Sequence, residues 1–309
     1  MPGATPAIDP PARWQDHLQA AALRVCVGLL RRLGPVTSSN LGGAVARTVG
    51  PWLPVSRVAL DNLAFAMPEL DAAARRRVVR GVWDNLGRTA AELPHLRDLH
   101  RTIAGPGWEC ADDSTLVALK AQPGPAVLFT GHLANWEIGF PVAAAFGLDV
   151  SWFYRPATNA VADRLVQSLR RDAVGADLNM FAKGRAGAVG AMKHLRSGGR
   201  LGMLVDQKLN EGIPVPFFGR PAMTTTALAA FALRSRCPVI PIHVVRLGPA
   251  RFRVICEPPM AMPASGDNDA DIYALTAAVN TTLERWIRNQ PADWLWLHRR
   301  WPKDTKAAA

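Results

Sequence analysis

The segment Gly124 to Gly139, G-P-A-V-L-F-T-G-H-L-A-N-W-E-I-G, decides the fold. Ala126 to Thr130 is a short apolar run bounded by Pro125 and Gly131, too brief for a helix, and reads as a buried strand. Asn135 is a good N-cap for a helix starting at Trp136, and a helix-like stretch runs on through Phe146. The chain therefore passes from strand to helix through a turn that holds His132.

Outward from this unit the same alternation repeats. Leu148 to Phe153 reads as a second strand, and Asn159 to Val174 and Ala186 to Arg196 as helices. Arg200 to Val205 is a third strand, ending at Asp206. Thr226 to Ser235 is helical, Val239 to Leu247 and Arg251 to Cys256 form a strand pair across a Gly-Pro turn, and Ala270 to Arg288 is a last long amphipathic helix. Upstream, Asp71 to Leu93 carries Val78, Val79, Val82, Leu86 and Ala90 at helical spacing, with Pro68 before it and Pro94 after it. The pattern predicts an α/β fold: a mostly parallel central sheet with helices on both faces and a helical N-terminal region. Such sheets place their sites at the carboxyl ends of strands, where His132 and Asp206 both fall.

Residues 1–12 are rich in Pro and Ala and read as a flexible tail without the basic start of a signal peptide. Residues 13–309 read as one domain. Within it, His17 to Leu33 places Leu18, Ala21, Ala22, Val25, Leu29 and Leu33 at helical spacing. Arg24, Arg31 and Arg32 make this segment too short and too charged for a confident span. It suits a helix lying on a membrane or on the protein's own core. The C-terminal W-L-W-L-H-R-R-W, Trp294 to Trp301, fits either a membrane boundary or a segment packed on the core.

The chain of 309 residues has a net charge of +11, which favours an acidic partner: nucleic acid, an anionic membrane or an acidic carrier protein. No helix-turn-helix, zinc finger or aromatic RNA-binding signature supports the first. Cys26, Cys110, Cys237 and Cys256 lie far apart, and the histidines lack ligand spacing, so neither metal nor cofactor is expected.

His132 and Glu137 form H-x-x-x-x-E. In a straight helix residues five apart point about 140° away from each other, so the two meet only if the backbone turns between them. A carboxylate beside an imidazole fixes its tautomer and stabilises its protonated form, which makes the histidine a competent general base. No G-x-S-x-G elbow is present to supply a nucleophile. Taken alone, so short a motif also fits a histidine that merely caps a helix start.

Its surroundings are more specific. G-H-L-A-N-W-E is followed by F-Y-R-P at Phe153 to Pro156, then by L-R-S-G-G-R-L-G-M-L-V-D-Q at Leu195 to Gln207. G-I-P-V-P-F-F-G-R-P-A comes next, at Gly212 to Ala222, and then Thr224, Thr225 and Thr226. R-V-A-L-D-N-L-A-F-A-M-P, Arg57 to Pro68, precedes them. In this order the blocks resemble the bacterial lysophospholipid-acyltransferase superfamily, and within it the lauroyl/myristoyl acyltransferases of lipid A biosynthesis. The resemblance implies a glycerolipid-acyltransferase-like fold and an O-acyltransferase on the cytoplasmic face of the inner membrane. The implied donor is acyl-acyl carrier protein and the implied acceptor a lipid A precursor.

The resemblance makes His132 the base and Glu137 its partner. It makes Arg155 and Arg170 contacts for anionic head-group oxygens, a task that suits the guanidinium fork. Asp206 and Gln207 join the same substrate-side set, organising the site. Phe217, Phe218 and Gly219 line an acyl groove or pack the core. That family commonly begins with a clearer apolar anchor than one broken by Arg24. Other lipid acceptors (a glycerophospholipid, a mannoside lipid, an amino-acid lipid) therefore stay open beside lipid A. A histidine-based hydrolase and a non-catalytic basic protein are the competing classes.

Overall fold

The computed structural model describes residues 14–154, 156 and 159–302. The described residues begin with four helices: α1 (Trp14–Leu33), α2 (Pro35–Val49), α3 (Val55–Ala66) and α4 (Ala72–Glu92). The Asp71 carboxylate caps α4 by accepting from the Ala74 amide at 2.6 Å. Helices α2 and α4 touch backbone to backbone at Gly42 and Gly87. A Cβ on either would lie within 2.3 Å of the other's carbonyl oxygen. The inward face of α2 is thus small and polar, with Ser38, Ser39 and Gly43 buried, while Leu41, Val45 and Val49 face outward.

The buried stripe of α4 departs from the expected one. Val79 and Val82 are buried as predicted, but Leu86 is only half-buried and Ala90 is exposed. The stripe continues instead through Asn85, Thr89 and Glu92, all buried. A helix face that swaps apolar for polar residues must find partners for them, and these lie at the candidate site.

The rest alternates: β1 (Gly107–Cys110), α5 (Ser114–Ala121), β2 (Ala126–Thr130), α6 (Gly139–Ala145), β3 (Val150–Tyr154), α7 (Ala160–Val174), β4 (Met180–Ala182), α8 (Arg185–Arg196) and β5 (Arg200–Leu204). Then come β6 (Ile213–Phe217), β7 (Arg220–Thr224), α9 (Ala227–Ser235), β8 (Val239–Gly248), β9 (Arg251–Cys256) and α10 (Asn268–Asn289). Seven strands form one sheet in the order β1-β9-β8-β2-β5-β3-β4, parallel except for the β8–β9 hairpin. Strand β2 is central, and its two faces feed different cores. Val127 and Phe129 pack with Leu201 and Met203 of β5 and with Leu283 and Trp286 of α10, whereas Ala126 and Leu128 pack with Ile240 on the other side. Burial on both faces explains why β2 reads as an unbroken apolar run.

The sequence reading did not resolve β1, α5, β4 or the β6–β7 hairpin. The hairpin hides behind Pro214, Pro216 and Pro221, which are exposed on a two-stranded ribbon where a missing N–H is tolerated. Its two-residue turn, Phe218-Gly219, has positive φ at both positions (52° and 70°). Phe218 is held there by its amide, which donates to Glu284 Oε1, and by its contacts with Trp296 and Trp301. Phe217 and Phe218 are buried, so both pack the core. Trp294, Trp296 and Trp301 are buried as well, and this settles the C-terminal segment as core rather than membrane boundary. Among the described residues no helix is long and apolar enough to cross a membrane.

Candidate active site

Strands β2 and β5 are adjacent and parallel, with Thr130 opposite Leu204. Two residues beyond each lie His132 and Asp206, and the register brings them together. The Asp206 carboxylate accepts from the His132 backbone amide (Oδ2, 2.8 Å) and lies 2.8 Å from His132 Nδ1 (Oδ1). The Trp294 indole N–H donates to Oδ2 at 2.7 Å. Asp206 is fully buried. Burial pushes its carboxyl up, but the His132 charge and hydrogen bonds prevail and hold it below the usual carboxylate range. A carboxylate on Nδ1 places the ring proton there and leaves Nε2 with its lone pair.

The Gln207 amide nitrogen is 3.5 Å from Nε2, and Trp136 meets the ring edge-on at a centroid distance of 5.0 Å. Gln207 also lines a cavity of about 230 Å³ at the carboxyl ends of β3 and β5, with Phe153, Met203 and Val205 among its walls. The other polar residues near Asp206 are the buried Arg300 and the half-buried His298. Burial lowers both, Arg300 to about 10, with Asp206 opposing the shift. Arg300 donates to the Met223 carbonyl and to Thr224 Oγ1, tying the C-terminal segment to β7.

The turn carrying His132 is clamped from two sides. Ala134 sits at φ 48°, its amide donating to the Asp293 carbonyl at 3.0 Å. Its carbonyl accepts from Asn85 Nδ2 (3.1 Å) and Thr89 Oγ1 (3.0 Å). Asn135 caps the turn of helix that follows, as its residue type predicts, accepting from the Glu137 amide. Its own Nδ2 donates to Glu92 Oε2 at 2.9 Å. Glu92, fully buried, is paired in turn with Arg246 of β8 (2.5 and 3.0 Å) and accepts from Ser39 Oγ and the Ala250 amide. The polar stripe of α4 thus has its partners: it holds the turn that carries His132.

The other expected residues are distributed differently. Glu137 does not contact His132 through a hydrogen bond. Both its oxygens are engaged by Arg170 of α7, from Nε at 2.7 Å and Nη2 at 2.6 Å, and the Trp136 indole donates to Oε1. The cause is geometric: the short helix capped by Asn135 turns Glu137 toward α7, while the parallel register sets Asp206 under the imidazole. Arg170 is consequently occupied by a protein carboxylate and stacks over Phe140, rather than standing free for a head group. Asp206 is fully buried, with its carboxylate on His132. Gln207 is at the cavity wall, where a substrate contact is open to it. Arg155 lies outside the described residues.

The sequence profile of the bacterial lipid A biosynthesis acyltransferase family matches residues 1–303. The chain belongs to this family. No curated protein matches it. The enzyme is therefore an O-acyltransferase of lipid A biosynthesis, taking an acyl donor and a lipid acceptor. What the residue-by-residue reading of this acyltransferase missed was Trp294, Asn85, Thr89, Glu92 and Arg246. One signal was present: Asn85, Thr89 and Glu92 continue the Val78–Val82 spacing, so polar residues stood at seam positions.

Proposed function

We propose that the enzyme transfers a fatty acyl chain from the thioester of acyl carrier protein to a hydroxyl of a lipid A precursor, with His132 as general base. The hydroxyl proton passes to His132 Nε2 as the oxygen attacks the thioester carbonyl carbon. The carbon–sulfur bond then breaks, and the departing sulfur takes the proton from the imidazolium. Asp206 supports the imidazolium from Nδ1 throughout. Glu137 acts through Arg170, fixing the start of α6 beside the site. The observation that carries this reading is the buried Asp206 carboxylate on Nδ1, with Gln207 of the cavity wall 3.5 Å from Nε2.

The lipid acceptor also calls for a membrane. Leu41, Val45 and Val49 of α2, Val25 and Leu29 of α1, and Trp52 (88% exposed) are exposed, as are Arg24 and Arg32 of α1. A helix that buries serine and glycine and exposes leucine and valine is built for an apolar surrounding. We place this face on the cytoplasmic leaflet of the inner membrane. The test is incubation of purified enzyme with acyl-acyl carrier protein and either a lipid A precursor or a lysophospholipid, read by mass spectrometry. The reading predicts an added acyl chain on the lipid A precursor. Transfer to the lysophospholipid alone, or release of free fatty acid alone, contradicts it.

A further inference from the structure

We infer that the outer face of α8, with the end of α9, is the docking surface for the acidic carrier protein that brings the acyl group. The inference rests on the reading of acyl carrier protein as donor. Ala191 and Leu195 bury the inner side of α8. The opposite side carries Arg185, Val189, Lys193 and Arg196, all exposed and spaced four, four and three apart, which sets them along one face. Arg234 of α9 stands across from them, closing a groove of about 430 Å³ floored by Met192 and Phe231.

Two features mark this surface. First, its cations are free, where arginines such as Arg88 on Asp84, Arg253 on Glu109 and Arg285 on Glu257 are matched. Among the described residues Arg185, Lys193, Arg196 and Arg234 have no acidic partner. The sequence itself withholds one: between Asp177 and Asp206 there is no Asp or Glu. Second, the surface leads to the site. Ala188 of α8 lines both this groove and the cavity that reaches Gln207, 3.5 Å from His132 Nε2. Lys183 and Lys208 line that cavity too, suited to an anionic group on an arm passing between them.

Unpaired cations around an exposed Val189 (64% exposed) match an acidic protein helix with an apolar ridge. The exposed apolar residues of α1 and α2 are on other elements. A carrier docked on α8 would deliver its thioester through the cavity to His132, while the acceptor arrives from the lipid.

The test uses the full-length enzyme and the variants Lys193→Glu/Arg196→Glu and Arg234→Glu, with Lys193→Arg/Arg196→Lys as the charge-preserving control. Binding of fluorescently labelled acyl-acyl carrier protein is followed by anisotropy, and transfer is measured from that donor and from acyl-pantetheine. The charge reversals should raise Kd and KM for the carrier donor about ten-fold or more, with kcat held. Transfer from acyl-pantetheine, which has no protein surface to dock, should fall less than about two-fold, and the control should match wild type. Unchanged carrier KM in the reversals overturns the surface while leaving the donor reading intact. So does an equal loss with both donors, or a loss of anionic-vesicle binding in place of carrier binding. If wild type uses acyl-pantetheine but neither binds nor uses the carrier, the donor reading falls and the docking surface with it.

Discussion

Asp206 holds His132 at two points, its backbone amide and its Nδ1, from the end of the neighbouring parallel strand. A single buried carboxylate therefore fixes both where the imidazole sits and which of its nitrogens is free. The same carboxylate is anchored by the Trp294 indole, so the C-terminal segment is part of the device.

Removing the base should stop transfer without unfolding the protein. His132 lies in a turn, its side chain 17% exposed, and carries no core packing comparable to its neighbours. His132→Ala should lose about 10²–10⁴ in kcat. Circular dichroism should be unchanged. A folded variant that keeps more than about a tenth of the wild-type rate would refute the assignment.

Glu92 should matter for both stability and activity. It is a fully buried acid paired with Arg246, and it also receives Asn135 beside the turn that carries His132. Breaking a buried pair by removing one charge costs about 3–5 kcal/mol. Glu92→Gln should lower the denaturant midpoint accordingly and reduce kcat in the fraction that remains folded. A midpoint within error of wild type would reduce the cluster to a bystander.

Much of this was legible in the sequence, and the gaps have physical causes. The strand–turn–helix unit around His132 reads directly because Pro125, Gly131 and Asn135 punctuate it. The sheet reads from its continuous apolar strands. The partner of His132 did not read, because H-x-x-x-x-E is local whereas the Asp206 contact depends on β5 lying beside β2, a crossover that spacing along the chain does not encode. The β6–β7 hairpin was masked by prolines that only an edge tolerates. The α4 stripe was read as apolar because Leu86 and Ala90 continue the pattern numerically, while the structure buries Asn85, Thr89 and Glu92 instead.

Asp293 should give the protein a specific pH dependence. Burial pushes its carboxyl from an ordinary 3.8 up to about 6, with Arg246 opposing. The folded state thus holds this proton more tightly than the unfolded chain. The associated stability is full below about pH 3.8 and is lost as pH rises through about 6. Asp293→Asn, neutral at every pH, should flatten the stability profile across that window and raise Tm above it. A wild-type-like slope between pH 4 and 6 in the variant would show that another group is responsible.

The apolar face of α2 should govern membrane binding. Leu41→Asp/Val45→Asp places charges where the surface meets lipid and spares the Gly42–Gly87 contact. Binding to anionic vesicles should drop sharply at high salt, where the basic contribution is screened and apolar burial has to carry the attachment. Vesicle binding equal to wild type at high salt would move the attachment elsewhere.

The central claim is that Asp206, and not Glu137, is the carboxylate acting on the base. The most direct measurement is the pH dependence of kcat for Asp206→Asn beside Glu137→Gln. Without Asp206 the imidazolium loses its counter-charge, so the acid limb should move to lower pH and kcat should fall about 10²-fold or more. Glu137→Gln should leave the limb where it stands in wild type, whatever rate it loses through Arg170. A limb that moves in Glu137→Gln and stays fixed in Asp206→Asn would contradict the account.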